Sequence, residues 1–168
     1  IVLFLVLGCA RATPESDNPL DPDNVEGLLL NFFAHQEGWQ NLSMQTQRTG
    51  HTSTLLSDGR ALIVGGANRN GNELNSLEIY DPDTSQFSLS SATLPTAVRN
   101  HSATLLSDGR VLIAGGVNVS NVEVQNAYLY SPTLDSLTAT TNLNTARDRH
   151  RTVLLNNGKV LLVGGAAS

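Results

Sequence analysis

Three histidines, His51, His101 and His150, stand 50 and 49 residues apart, and a row of imidazoles is the first feature with ligand chemistry. Zinc requires its nitrogen ligands at about 2.0–2.1 Å from one ion. Side chains on successive copies of a repeat are held much further apart, so these histidines read as structural residues, and neither a metal nor a cofactor is expected. Arg48, Arg99 and Arg147 precede the histidines by two or three residues. A guanidinium there could hold a carboxylate, such as that of an acidic sugar, in bidentate fashion. Positions that recur usually serve the repeat itself, which favours bonds to backbone carbonyls. The glycine pairs Gly65-Gly66, Gly115-Gly116 and Gly164-Gly165 lack the Lys-Ser/Thr and the helix of a phosphate loop. The chain has no Gly-x-Ser-x-Gly elbow and no carboxylate pair placed as acid and base, so no catalytic residue is assigned.

Each histidine opens a stretch that the chain repeats: HTSTLLSDGRALIVGG from His51, HSATLLSDGRVLIAGG from His101 and HRTVLLNNGKVLLVGG from His150. Two apolar runs flank Asp58-Gly59, Asp108-Gly109 or Asn157-Gly158, which suit a two-residue type I′ hairpin turn. That turn sets His51 opposite Gly66, His101 opposite Gly116 and His150 opposite Gly165, a bare glycine leaving room for each imidazole. The second strands (61–64, 111–114 and 160–163) are apolar without alternation, as expected of strands covered on both faces. A polar loop leads to a third strand at 76–80 or 127–130, then a Pro-containing turn, then an outer strand at 86–90 or 136–140. Trp39 to Met44 matches the outer-strand position before the first hairpin. Four antiparallel strands per repeat, at a period near fifty, is what a propeller blade requires.

The double glycines, the strands Leu77-Glu-Ile-Tyr80-Asp-Pro and Ala127-Tyr-Leu-Tyr130-Ser-Pro, and the bulky residue several positions on resemble the kelch repeat of β-propellers, from about Trp39 to the last residue. The resemblance implies an all-β fold of kelch-type blades, each of four antiparallel strands, in an incomplete propeller of two full blades plus parts of two others. One fold hosts many activities, so the resemblance fixes no function. Kelch-like propellers include galactose oxidase, whose resemblance implies copper and a Tyr-Cys crosslink, and sialic-acid epimerases. Cys9 is the sole cysteine, and it lies outside the repeats.

The 168 residues carry 10 basic against 15 acidic side chains, a formal net charge of −5. With no Lys/Arg-rich run, no nucleic-acid partner is expected. Residues 1–9 read as a truncated signal peptide, since an apolar run ends in Gly8-Cys9. Val6-Leu7-Gly8-Cys9 is similar to the lipobox of bacterial lipoproteins, which implies lipidation of Cys9 and a membrane partner through that anchor. In that class Asp after the cysteine retains the protein at the inner membrane; Ala10 stands there instead, which points to the outer membrane or cell surface. Residues 10–35 read as an acidic, Pro-rich tether closing with the apolar run Gly27 to His35, a plug or membrane-proximal contact. Residues 36–168 form the partial propeller.

In an up-and-down meander the loops after the glycine pairs and the linkers between blades emerge on one face. Loops on a rigid scaffold are where binding residues concentrate. The candidate ligand surface is therefore Asn68, Arg69, Asn72, Glu73, Arg99, Asn100, Asn118, Asn121, Glu123, Arg147 and Asp148. These observations suggest a surface-anchored lipoprotein that binds a protein or glycan through its loop face. The alternative is an extracytoplasmic carbohydrate-active enzyme, of oxidase or epimerase type, on the same fold.

Overall fold

The computed structural model describes residues 42–166. The first sheet runs in the order β1 (Thr52–Leu55), β2 (Ala61–Val64), β3 (Ser76–Asp81) and β4 (Gln86–Thr93); the second repeats it with β5 (Ser102–Leu105), β6 (Val111–Ala114), β7 (Ala127–Ser131) and β8 (Ser136–Ala139). β9 (Arg151–Leu154) and β10 (Val160–Val163) form a third hairpin. Every pairing is antiparallel between chain neighbours, so each four-stranded sheet is a meander. The inner strands β1, β5 and β9 stand side by side, and at the outside β4 meets β8. The sheets therefore stack as blades, two of four strands and a third seen as a hairpin. The tether, the apolar run and Trp39 lie outside the described residues, and Leu42 to Met44 are in no strand.

The hairpin turns differ from the two-residue loop expected. Thr52 pairs with Val64 and Leu55 with Ala61, one residue out of the anticipated register, and β5–β6 and β9–β10 show the same shift. The loop holds three residues: Leu56 N–H donates to Arg60 O at 2.8 Å and Gly59 N–H to Leu56 O at 3.1 Å. Only Gly59 takes a positive φ, 89°, so the turn is type I followed by a left-handed glycine rather than type I′. Asp58 selects it, accepting Arg60 N–H through Oδ1 at 3.1 Å and pairing with the guanidinium through Oδ2 at 2.7 Å. That contact also holds the Asp58 carboxyl below the usual carboxylate range.

Burial explains the apolar second strands. Leu62, Val64 and Val111 are fully enclosed, with Leu77 of β3 and Tyr130 of β7 beside them, in a core that runs from the first blade into the second. Each such side chain contributes roughly 1.5–3 kcal/mol of transfer free energy. β10 has the same apolar composition yet stays half exposed, because among the described residues it pairs only with β9. Covering on both faces comes from neighbouring blades, not from the hairpin itself.

Tyr130 is wholly buried, and its hydroxyl donates to Asp135 at 2.8 Å. Burial, with that bond, pushes the phenol up to about 12. Asp135 in turn accepts from the Ser90 hydroxyl, from Ser91 N–H at 2.7 Å and from the Ser91 hydroxyl at 2.7 Å. Burial alone would raise this carboxyl; the combined donors from Ser90, Ser91 and Tyr130 outweigh it and hold the group at about 2. The donors are free because β4 bulges there: Glu78 pairs with Leu89 but Ser76 with Thr93. A bulge leaves residues out of the ladder, and the second blade uses them to grip the first.

Candidate functional site

Two chains of hydrogen bonds join the blades near the axis. Gly50, Asn100 and Arg149, each just ahead of a histidine, all take left-handed φ values of 54–63°. Asn100 N–H donates to Gly50 O at 2.8 Å and Arg149 N–H to Asn100 O at 2.9 Å, a backbone ladder from blade to blade. One residue on, His101 Nε2 lies 2.9 Å from Thr52 Oγ1 and His150 Nε2 lies 2.8 Å from Ser102 Oγ. Nδ1 of all three histidines is buried without a partner among the described residues. An orphaned buried N–H is rarer than an orphaned acceptor, which assigns the proton to Nε2 in His101 and His150, donating to the hydroxyl. Burial pushes His101 down to about 3 and lowers His51 and His150 as well, so the row is uncharged at neutral pH.

The glycine pairs make room for this row. A Cβ on Gly66 would meet Thr49 O at 2.7 Å and the Cβ of His51 at 3.0 Å, so the His51–Gly66 contact survives the register change. A Cβ on Gly65 would meet Val98 O at 2.5 Å and Cε1 of His101 in the next blade at 3.0 Å. Gly116 and Gly115 repeat this around His101 and His150, and Gly165 takes the Gly66 position against His150. Gly164 has nothing within 4 Å of a built Cβ among the described residues. His101 and His150 thus each sit between a glycine of their own blade and one of the blade before.

A family model for the kelch motif matches residues 48–91, which span β1 to β4 and the segment leading into them. The second sheet repeats that blade strand for strand, which fits a kelch-repeat β-propeller. The chain carries kelch repeats. No curated protein matches it.

The arginines ahead of the kelch hairpins are engaged by the scaffold. Arg48 is buried and ion-paired with Glu78, and its Nη1 donates to Gly65 O at 2.9 Å and Ser76 O at 3.1 Å. Glu78 also accepts Gln45 N–H and Thr46 N–H, so this buried carboxylate is fully met. Arg147 donates to Gly164 O at 3.1 Å, the same carbonyl position. Val98 holds the corresponding place in the second blade, where Tyr128 stands for Glu78 and Pro95, lacking an N–H, stands for Gln45. Arg99 is one residue out of step; it pairs with Glu73 at 3.0 Å and reaches Asn121 Oδ1 at 2.8 Å.

The kelch loops share one backbone. Asn68 N–H donates to Asn72 O and Gly71 N–H to Asn68 O; Asn118, Val122 and Asn121 repeat both bonds. Asn68 Oδ1 accepts from Asn70 and Asn72 N–H, and Asn118 Oδ1 from Ser120 and Val122 N–H. Asn68 and Asn118 therefore shape their own turns. Asp148 is buried, with Arg149 Nε and Asn100 Nδ2 each 3.5 Å away, whereas Glu123 is half-buried beside the bridge to Val117. Arg69, Asn72, Asn121 and Arg149 remain exposed. Val119 and Val122 are exposed too, at 68% and 50%; a search for polar binding residues passes over them, and the only sequence signal is their place in the loop.

Proposed function

We propose that the protein is a surface-anchored kelch-repeat lipoprotein whose loop face binds a protein or glycan. One observation carries the reading. Two loops with identical backbone hydrogen bonds present different exposed side chains, Arg69 and Asn72 on the first blade against Val119 and Val122 on the second. A fixed frame with variable tips is how a rigid scaffold displays recognition residues. Mixed cationic and apolar tips suit a protein surface or a sugar face equally, since both combine apolar area with acceptors. The anchor is Cys9, at the outer membrane. More than one acyl chain is what makes such an anchor stable.

Binding of envelope proteins and glycans to the whole chain tests the loop face. Arg69→Ala and Val119→Ser should each weaken capture at least tenfold with an unchanged melting temperature. Capture unaffected by both, or lost only together with folding, sinks the reading. Lipid labelling tests the anchor separately: Cys9→Ala should abolish incorporation and release the protein from the membrane fraction.

A further inference from the structure

Arg99 stands in the linker between the two four-stranded blades and touches a loop of each. Its Nε donates to Glu73 Oε1 on the first loop at 3.0 Å and its Nη2 to Asn121 Oδ1 on the second at 2.8 Å. The rest of the fork, Nη1 included, makes no hydrogen bond to a described residue, and 28% of the side chain is exposed. Nothing in the repeat asks for this arrangement. The bridge from Arg99 to Val117 recurs as Thr49 to Ala67 and as Asp148 to Ala166, so neither other copy has a cation at the position. Asn121, with a left-handed φ of 56°, takes the place of Gly71 at 79°, in a backbone region where residues other than glycine are uncommon. Residues that serve the blade recur. These do not, and they meet on the face where the loop tips stand exposed in both blades.

The junction is left with donors. Glu73 and Asn121 have oxygens engaged by Arg99, and Asn68 and Asn118 turn theirs to backbone N–H groups. The guanidinium and the amide nitrogens keep N–H groups to give. Arg69, exposed on the first loop, adds a second cation.

We propose that this junction takes the carboxylates of an acidic polysaccharide, an inference that rests on the loop-face reading above and names its ligand. A uronate brings carboxylate and ring oxygens, which only accept, and N–H···O⁻ bonds are roughly twice as strong as neutral ones. A protein surface brings backbone and lysine N–H donors as well, and those find little to pair with around Arg99.

Calorimetric titration of the full chain with polygalacturonate tests the site, with dextran as a neutral counterpart and polyglutamate as an acidic polypeptide. Polygalacturonate should bind, more weakly as salt rises; dextran should not bind, and polyglutamate should bind less tightly. Arg99→Gln should weaken polygalacturonate at least tenfold. Glu73→Gln keeps an oxygen for Arg99 Nε but removes the neighbouring negative charge, so it should tighten binding severalfold, which a folding defect cannot do. Failure of the wild-type chain to bind polygalacturonate, equal binding of dextran or polyglutamate, or indifference to both substitutions overturns the proposal. The loop-face reading survives that loss if Arg69→Ala and Val119→Ser still weaken capture of an envelope protein.

Discussion

His101 Nε2 stands 2.9 Å from Thr52 Oγ1 of the preceding blade, so this imidazole serves two blades at once. It fills the space left by two glycines and ties the inner strands together.

That arrangement makes stability depend on acidity. The folded His101 takes up its proton only near pH 3, against 6.5 for a free imidazole. Between those values the unfolded chain binds more protons than the folded one. Stability is therefore fully present above pH 6.5 and falls as the pH drops toward 3, by up to about 1.4 kcal/mol per pH unit for this group. His101→Gln keeps an N–H donor but cannot titrate, so urea midpoints between pH 7 and 4 should decline less steeply. His51 and His150, also lowered, keep part of the slope. An unaltered slope would show that the row is not the source.

Gly66 and Gly59 have nearly the same φ, 93° and 89°, but opposite surroundings. A Cβ on Gly59 meets nothing within 4 Å, whereas one on Gly66 meets Thr49 O at 2.7 Å. Gly59→Ala should cost about 1–2 kcal/mol, the backbone contribution alone. Gly66→Ala adds overpacking and should cost at least ~2 kcal/mol more. Equal losses in chemical denaturation would mean that the contact with His51 does not matter.

The buried Arg48–Glu78 pair can be exchanged for what the next blade uses. Removing one partner leaves a buried charge unmet, so Arg48→Val or Glu78→Tyr alone should destabilise by about 3–5 kcal/mol. Combining both with Gln45→Pro reproduces the Pro95, Val98 and Tyr128 set. The triple variant should recover most of the loss, and thermodynamic cycles should show strong positive coupling. Simple additivity of the three losses would refute the equivalence of the two sets.

Much of this architecture is legible in the residues. Recurrence of His51, His101 and His150 with their glycine pairs gives the blade and its strand order, because hydrophobic runs and turn residues act locally. The contact of each histidine with the second glycine of its own pair was also readable. Hairpin register was not, since Asp58-Gly59 admits both a two- and a three-residue loop, and the bonds from Asp58 to Arg60 settle the choice.

What the tertiary structure alone decided is how side chains are used across blades. Arg48 and Arg99 both stand shortly before a repeat histidine, yet one is enclosed with Glu78 and the other reaches out to Glu73 and Asn121. Asn68, a candidate binding residue, has its side-chain oxygen closing its own turn. The half-exposed β10 and the enclosed β2 share a composition and differ only in their neighbours. Sequence determines the blade because a strand's preferences lie within a few residues. Burial, pairing and free charge belong to the stacking of blades fifty residues apart, and no local pattern encodes them.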